Sequence, residues 1–183
     1  MDNGAGSYRR FLQGDEHAFD EILLTYRTGL TFFIGRIVGD ADAAEDIAID
    51  VFTDLIVHRH RYNFKTTFKT YLYMMGRSRA LDYLRHRRKL TMIPLDEVEG
   101  VLQADGLPEA QLLADERRRA LSAALDRLPV EQREAVHLVY MEDLSYEQAA
   151  KVMRKTRKQI DNLLTRAKKR LRELLGEEAK CLL

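Results

Sequence analysis

The chain has 183 residues, of which 45% are hydrophobic and 32% charged, and its 30 Lys and Arg nearly balance its 29 Asp and Glu for a net charge of +1. This length suits one ordinary domain or two small ones, and the hydrophobic fraction excludes a disordered chain. No apolar stretch approaches the roughly 18 to 20 residues of a membrane-spanning helix, and the N-terminus lacks the apolar segment of a secretory signal. Because the single cysteine, Cys181, cannot form an internal disulfide, we expect a cytoplasmic protein.

The near-neutral total hides a strong segregation of charge along the sequence. Residues Arg59 to Lys89 and Lys151 to Arg172 each hold ten basic residues and one acidic residue. Asp40 to Asp54 holds six acidic residues and Asp96 to Glu116 holds seven, with no Lys or Arg in either. Basic blocks of this kind favour a nucleic-acid partner, and acidic ones favour a different, basic partner.

Apolar residues recur at spacings of three and four, and only three prolines interrupt them, so the sequence predicts an all-α protein. The first predicted helix spans residues 16–38. The second begins after Asp42, which we expect to cap it while Glu45 reaches back. After a break at residues 61–67, a third helix runs from Phe68 into a basic run at Arg85 to Lys89.

The helical pattern lapses near Pro94 and resumes near Leu112. We therefore predict two small helical domains, at residues 1–92 and 111–178, joined by an acidic linker at residues 93–110.

The second domain carries two capping boxes, Ser145 with Gln148 and Thr156 with Gln159. Two capped helices eleven residues apart predict a helix-turn-helix, in which the last helix would be the recognition helix. The apolar residues of this last helix form one stripe, and the opposite face carries almost only basic charges. That face suits DNA, and the alternative is an ordinary solvated helix surface.

The first basic block interleaves cations with aromatic residues, as proteins that hold single-stranded nucleic acid do. Phe68 falls on the apolar stripe and is expected to pack in the core, whereas Phe64, in the break before the helix, is the candidate for an exposed role. The acidic residues Asp46, Asp50 and Asp54 recur every four positions. Such a row could chelate a metal, act as paired carboxylates or dock a basic partner, and we favour docking because like charges at this spacing repel.

No catalytic motif is present: the sequence contains no GxGxxG, P-loop, GxSxG or HExxH pattern. We expect no enzyme activity, no catalytic residue, no metal site, no cofactor and no small-molecule substrate.

In the first domain, "AFDEILLTYRTGLTFFIGRIVGDADAAEDIAIDVFTDLI" and "TFKTYLYMMGRSRALDYLRHRRK" resemble regions 2.1 to 2.4 of bacterial sigma-70 factors of the extracytoplasmic function group, group IV. In the second, "ALDRLPVEQREAVHLVYMEDLSYEQAAKVM" and "TRKQIDNLLTRAKKRLREL" resemble region 4. The order of these strings and the length between them strengthen the resemblance, which covers nearly the whole chain.

The resemblance implies a sigma region 2 helical bundle and a sigma region 4 helix-turn-helix that direct promoter-specific transcription initiation. It implies docking on the β′ clamp and β flap of core RNA polymerase, with the clamp contact through Asp46, Asp50, Phe52 and Asp54. It implies recognition of the −10 element through Arg61, Asn63, Phe64, Lys65, Thr66, Tyr71, Arg77, Ser78, Arg85 and Arg88. It implies recognition of the −35 element through Arg157, Lys158, Gln159, Asp161, Asn162, Thr165, Arg166 and Lys169.

The family also implies an anti-sigma factor as a partner, and an acidic linker that enters a basic polymerase channel. In the free protein this linker could fold over the basic faces. The chain departs from the family pattern at Tyr71, where Trp is common, and at Arg154, where the turn usually has Gly. The alternative function is a free-standing helix-turn-helix regulator that acts without polymerase, and a more remote one is a metal-dependent helical hydrolase.

Overall fold

The computed structural model describes residues 3–91 and 120–175, and every regular element within these two ranges is helical. This confirms the all-α prediction. The predicted linker, 93–110, lies outside the described residues, so the division into domains stays a prediction. The elements are α1 (Asn3–Leu12), α2 (His17–Val38), α3 (Ala41–Val57), α4 (Phe68–Thr91), α5 (120–126), α6 (Val130–Val136), a π-helical turn (His137–Met141), α7 (Tyr146–Met153) and α8 (Arg157–Leu175).

The sequence pattern did not predict α1. Its residues Tyr8, Phe11 and Leu12 follow helical spacing and pack against the core, with Tyr8 fully buried. The two glycines of the helix lower its intrinsic helix propensity, so tertiary packing stabilises it.

The start of α3 differs from the prediction that Asp42 caps this helix. The N-cap is Asp40, which has an extended backbone and accepts a hydrogen bond of 3.1 Å from the amide of Ala43. Gly39, in the left-handed conformation, ends α2 immediately before it. Because of this tight junction, α3 begins two residues earlier than predicted, and Asp42 lies inside its first turn. Glu45 does not bond back to the cap but forms an ion pair with Arg27 of α2.

Helices α2, α3 and α4 pack around the core of the N-terminal half. Leu30, Phe33 and Ile34 of α2 and Leu72 of α4 are fully buried in it. Gly76 lets α4 approach α2 closely, because a Cβ atom there would lie 2.8 Å from Cδ1 of Leu30. This approach fixes the position of α4 on the bundle.

The C-terminal half contains the predicted helix-turn-helix, α7 followed by α8. Both predicted capping boxes are present: Ser145 bonds reciprocally with Gln148 at 2.7 and 3.2 Å, and Thr156 does so with Gln159 at the same distances. The turn passes through Arg154, which adopts the left-handed conformation with φ 53° and ψ 46°. This backbone explains why glycine is the common residue at this position.

The two halves share one hydrophobic core, and charged side chains cross the seam between them. Arg77 of α4 donates from Nε to Oε2 of Glu134 on α6 at 2.6 Å. Nζ of Lys69 lies 2.9 Å from Oε2 of Glu142 and donates to its backbone carbonyl at 2.6 Å. Arg36 of α2 is ion-paired with Asp126. We define these three ion pairs as the seam pairs.

The π-helical turn positions Glu142 at this seam. Its amide donates to the carbonyl of His137 at 3.1 Å, the five-residue spacing of a π-helix, and its side chain pairs with Lys69 of α4. Gly29 makes room for it, since a Cβ atom there would lie 2.8 Å from both Oε1 of Glu142 and the hydroxyl of Tyr73. Burial raises the pKa of Glu142, but the nearby polar groups of His137, Tyr73 and Lys69 outweigh burial and hold the pKa at about 2.

None of the helices within the described ranges combines the length and the apolar character that crossing a membrane requires.

The first prediction concerns Glu142. The Glu142→Gln variant should lose roughly 1 to 3 kcal/mol of unfolding free energy at pH 7, because it removes the negative charge that pairs with Nζ of Lys69 across the seam. A carboxyl whose folded pKa is depressed stabilises the fold above its ordinary pKa, and this stabilisation is lost as the pH falls through the folded value. The difference between wild type and variant should therefore shrink as the pH falls from about 4.5 to about 2.

Urea unfolding at pH 7, 4 and 3 measures this difference. Glu147→Gln is the control, because Glu147 is exposed and its ion pair with Arg157 lies on the surface. A difference between wild type and Glu142→Gln that does not change with pH would contradict the interpretation.

Candidate nucleic-acid and protein interfaces

The loop between α3 and α4 is held in one conformation by its own hydrogen bonds. The hydroxyl of Tyr62 donates to the carbonyl of Thr66 at 2.6 Å, and Oδ1 of Asn63 accepts from the amide of Lys65 at 3.1 Å. Between them Phe64 has a positive φ of 59°. The side chains of Asn63 and Lys65 are exposed at the tip. The loop thus presents polar groups on a preorganised backbone.

Aromatic rings support this loop from beneath. Tyr62 lies 4.5 Å from Phe64 and stacks on Tyr71 at 5.0 Å between ring centroids. The guanidinium of Arg9, from α1, lies 4.8 Å from the centroid of Phe64. Phe64 is therefore half-buried, and its ring supports the loop as well as facing solvent. Phe68 is fully buried, as predicted.

Helix α1 contributes to the site although no site residue was predicted in it. The buried hydroxyl of Tyr8 donates to the carbonyls of Leu55 at 3.1 Å and Arg59 at 3.0 Å, which are the last turn of α3 and the start of the loop. Burial raises the pKa of Tyr8 to about 12, with a smaller contribution from Tyr71. The spacing of Tyr8 and Phe11 is the sequence signal that could have identified this helix as part of the bundle.

The predicted −10 residues of α4 lie on two different faces. Tyr71, Ser78 and Arg85 are seven residues apart and share one face, with Arg88 three residues further on. Arg77 is one position from Ser78, which rotates it by about 100° to the seam with the C-terminal half. The first four residues therefore share one face of α4, which meets the loop at Tyr71, and Arg77 is separate from them.

The acidic residues of α3 also divide. Asp46 and Asp50 are exposed, whereas Phe52 is in the core at 5% exposure. Asp54 is ion-paired with Arg61 and Arg79 at 3.6 Å each, so it links α3 to the loop and to α4.

Exposed apolar residues accompany the two free acidic residues. Ile49, Ile56 and Val57 are 51%, 48% and 64% exposed on α3. Large apolar side chains at this exposure, next to Asp46 and Asp50, are typical of a protein-docking surface. We define these five residues as the α3 docking surface. The spacing of the three apolar residues places them outside the buried stripe of α3. This spacing is the sequence signal that could have identified them as part of a docking surface, which the charge pattern alone did not.

Helix α8 presents the predicted basic face to solvent. Ile160, Leu164, Ala167 and Leu171 are buried against the C-terminal half, and the opposite face is exposed. Gln159 differs from the other predicted −35 residues, because its side chain accepts the hydrogen bond of the capping box. The exposed predicted residues are Arg157, Lys158, Gln159, Asp161, Asn162, Thr165, Arg166 and Lys169.

Among residues 3–91 and 120–175, no group of three or more His, Cys, Asp or Glu side chains is placed to hold a metal ion. His58 is paired with Asp54 at 3.5 Å and lies outside any such group.

The second prediction tests the support that α1 gives to the loop. Tyr8→Phe removes the hydroxyl whose proton the carbonyls of Leu55 and Arg59 share, so the unfolding free energy should fall by roughly 1 to 3 kcal/mol. The loop should also loosen, and binding of a single-stranded DNA oligonucleotide should weaken. Urea unfolding and fluorescence anisotropy measure the two effects. Tyr83→Phe is the matched control, and equal losses in both variants would contradict the role of Tyr8.

Comparison with known proteins matches two family descriptions to separate parts of the chain. Residues 22–90 match the family described as Sigma-70 region 2, and residues 118–171 match Sigma-70, region 4. The chain is 33% identical over 154 residues to the RNA polymerase sigma-H factor of Pseudomonas aeruginosa, covering 79% of each chain. It is 29% identical over 156 residues to the ECF RNA polymerase sigma factor SigM of Bacillus subtilis, covering 85% of this chain and 93% of that protein.

Among solved structures, the fold is similar to that of the sigma factor RpoE in its complex with the anti-sigma factor NepR from Bartonella quintana. The TM-score is 0.71 at 23% identity, over 87% of this chain and 97% of that chain. Two matched regions in the family order, with relatives aligned over most of their length, lead to one conclusion: the chain belongs to the sigma-70 family, in the extracytoplasmic function group.

Proposed function

We propose that this protein is an alternative sigma factor, which binds core RNA polymerase and directs it to promoters that carry its −10 and −35 elements. It catalyses no reaction itself and acts in the cytoplasm, where polymerase and DNA are. The observation that carries the proposal is that one chain of this family presents a nucleic-acid loop, a basic recognition helix and an acidic-apolar docking surface on separate elements.

The loop after α3 suits the capture of an extruded base of the −10 element. Taking a base out of the stack costs a few kcal/mol, and a protein repays it best with a pocket that needs no further ordering. The internal hydrogen bonds of residues 62–66 supply such rigidity. Asn63, Lys65 and Thr66 then offer polar groups to the base and the neighbouring phosphates.

Helix α8 suits the major groove at the −35 element. Lys158, Asp161 and Asn162, in the first turns, would face base edges, and Arg166 and Lys169, further along, would face phosphates. Gln159 would act mainly through the helix cap.

The α3 docking surface suits the β′ clamp of polymerase. Its apolar residues would supply contact area, and Asp46 and Asp50 would select a basic partner and raise the rate of association. Phe52 would act indirectly, by fixing α3 on the core. The C-terminal half would contact the β flap.

An anti-sigma factor is the further partner that we propose. The similar structure of RpoE contains the anti-sigma factor NepR, and a second similar one is that of CnrH with the cytosolic domain of CnrY, at a TM-score of 0.63 and 18% identity.

The proposal is tested by transcription in vitro. Core polymerase and genomic DNA from the organism that encodes this protein are incubated with and without it, and the 5′ ends of the transcripts are mapped. New start sites that share −10 and −35 sequences are the expected result. No start site above core polymerase alone would overturn the proposal.

The third prediction concerns the α3 docking surface. Asp50→Lys reverses a charge that faces the partner, so we expect about a tenfold loss of promoter-specific transcripts, equivalent to about 1.4 kcal/mol. DNA binding by the free protein should not fall. Asp20→Lys, on the exposed face of α2, is the matched charge control. Unchanged transcription by Asp50→Lys would show that polymerase docks elsewhere on the chain.

The fourth prediction separates affinity from sequence choice on α8. Arg166→Ala should weaken binding to all duplex sequences. The slope of the logarithm of the binding constant against the logarithm of salt concentration should become shallower by about one unit, the value for one lost phosphate contact. Lys158→Ala and Asn162→Ala should instead change which sequences are selected from a random duplex pool. A changed sequence preference in Arg166→Ala would contradict this orientation of the recognition helix.

A further inference from the structure

Arg9 of α1 lies over the loop to which the proposed function assigns the capture of a base. Its guanidinium is 4.8 Å from the ring centroid of Phe64, and the residue is exposed. No prediction from the sequence included Arg9, and it precedes residues 22–90, the part of the chain that matches Sigma-70 region 2. The assignment of Arg9 to this loop therefore rests on the structure.

The backbone on both sides of Arg9 is fixed to the rest of the bundle. The preceding residue, Tyr8, is fully buried, and its hydroxyl lies 3.1 Å from the carbonyl of Leu55 and 3.0 Å from that of Arg59. The following residue, Arg10, forms an ion pair with α2. Because both neighbours hold α1 in place, the position of Arg9 beside the loop is set before any ligand binds.

The positive charge of Arg9 is available to a ligand. Arg10 is paired with Asp15 and Glu21, whereas Arg9 has no acidic partner among residues 3–91 and 120–175. Within the same residues its N–H groups have no hydrogen-bond partner, so the ring of Phe64 is their one recorded contact. A cation–π contact restrains a guanidinium but leaves most of its N–H donors free for an oxyanion.

A nucleotide captured by the loop brings phosphates to this place. A base that is taken out of the stack keeps a phosphate on each side of its sugar, and both remain outside the pocket that holds the base. Lys65 follows Phe64 at the exposed tip of the loop, and Arg9 lies over the ring of Phe64. The residue between the two cations is thus shared by α1 and the loop, and each cation can bind one phosphate.

We propose that Arg9 binds a phosphate of the single-stranded promoter DNA beside the captured base, and that its contact with Phe64 orients the guanidinium for this phosphate. The inference rests on the proposed function for the identity of the strand, and it adds α1 to the elements that bind DNA. Phosphate contacts carry no sequence information directly, so Arg9 contributes affinity for single strands of any sequence.

Three substitutions separate the charge of Arg9 from its orientation. Arg9→Gln removes the charge, and Arg9→Lys keeps it but replaces the planar group by a point charge. Phe64→Leu keeps an apolar side chain in the loop and removes the ring. Arg127→Gln is the matched control, because Arg127 is also exposed and lies in the C-terminal half.

The first measurement is the binding of a fluorescein-labelled single strand of mixed sequence to the full-length protein, by anisotropy at several salt concentrations. Arg9→Gln should bind the strand about fivefold more weakly. The slope of the logarithm of the binding constant against the logarithm of salt concentration should become shallower by about 0.7, the value for one phosphate contact on a single strand. Arg9→Lys should restore this slope, and binding of a duplex should stay within about twofold of wild type.

Three results would overturn the proposal. The first is wild-type affinity and slope in Arg9→Gln while circular dichroism shows a folded chain. The second is a loss of affinity at an unchanged slope, because Arg9 would then support the loop without contacting a phosphate. The third is an equal loss in Arg127→Gln, which would reduce the effect to net charge.

The second measurement tests the orientation by Phe64. The Nε–Hε resonance of Arg9 is observed by NMR in protein with isotope-labelled arginine, and is assigned by its disappearance in Arg9→Lys. Phe64→Leu should move this resonance in the free protein, and the single strand should move it in the wild type. The losses of single-strand affinity in Arg9→Gln and Phe64→Leu should be less than additive in the double variant, because the ring acts through Arg9. A resonance that the strand leaves unmoved, or fully additive losses, would contradict the proposal.

These measurements use neither polymerase nor a promoter. If the wild type directs promoter-specific transcription but Arg9→Gln keeps wild-type single-strand binding, the role of Arg9 alone is refuted. If Arg9→Gln loses single-strand binding as expected but the wild type directs no promoter-specific transcription, the proposed function alone is refuted.

Discussion

The pairing of charges across the seam is the interaction on which the arrangement of the two halves depends. Helical units of this size bury a modest share of their surface when alone, so each gains from sharing one core. A buried charge without its partner costs several kcal/mol. The pair between Arg77 and Glu134 therefore fixes one alignment of α4 with α6, because a shift of one helix along the other would leave two buried charges unpaired. The ion pairs add little net attraction but specify the geometry strongly.

Both proposed DNA surfaces depend on rigidity that comes from elsewhere in the chain. The loop after α3 is supported by the rings of Tyr62 and Tyr71 and, through hydrogen bonds to the end of α3, by Tyr8 of α1. The recognition helix starts at the Thr156 capping box and follows a left-handed Arg154, which sets its direction. In each case the side chains that would contact DNA are separate from those that fix their positions, so sequence preference can change without loss of the fold.

Much of this fold follows from local pattern, and the exceptions share a physical reason. Apolar spacing predicted α2, α4 and α8, and the two capping boxes in the C-terminal half were correct because a cap is a contact within four residues. The cap of α3 was assigned to Asp42 instead of Asp40, because the left-handed Gly39 that precedes it cannot be recognised from spacing. Helix α1 and the separation of Arg77 from Ser78 depend on partners that are distant in the sequence. Local periodicity contains no information on those partners.

The net charge of +1 acquires a different meaning once the pairs are known. In the block from Arg59 to Lys89, at least five cations have acidic partners: Lys69, Arg77, Arg61, Arg79 and Arg85. The cations of α8 mostly face solvent. Charge counted along the sequence therefore overstates the affinity of the first block for nucleic acid while these ion pairs are formed. Because two of those partners, Glu142 and Glu134, lie on the C-terminal half, the packing of the halves lowers the positive potential of the N-terminal half without any change in its composition.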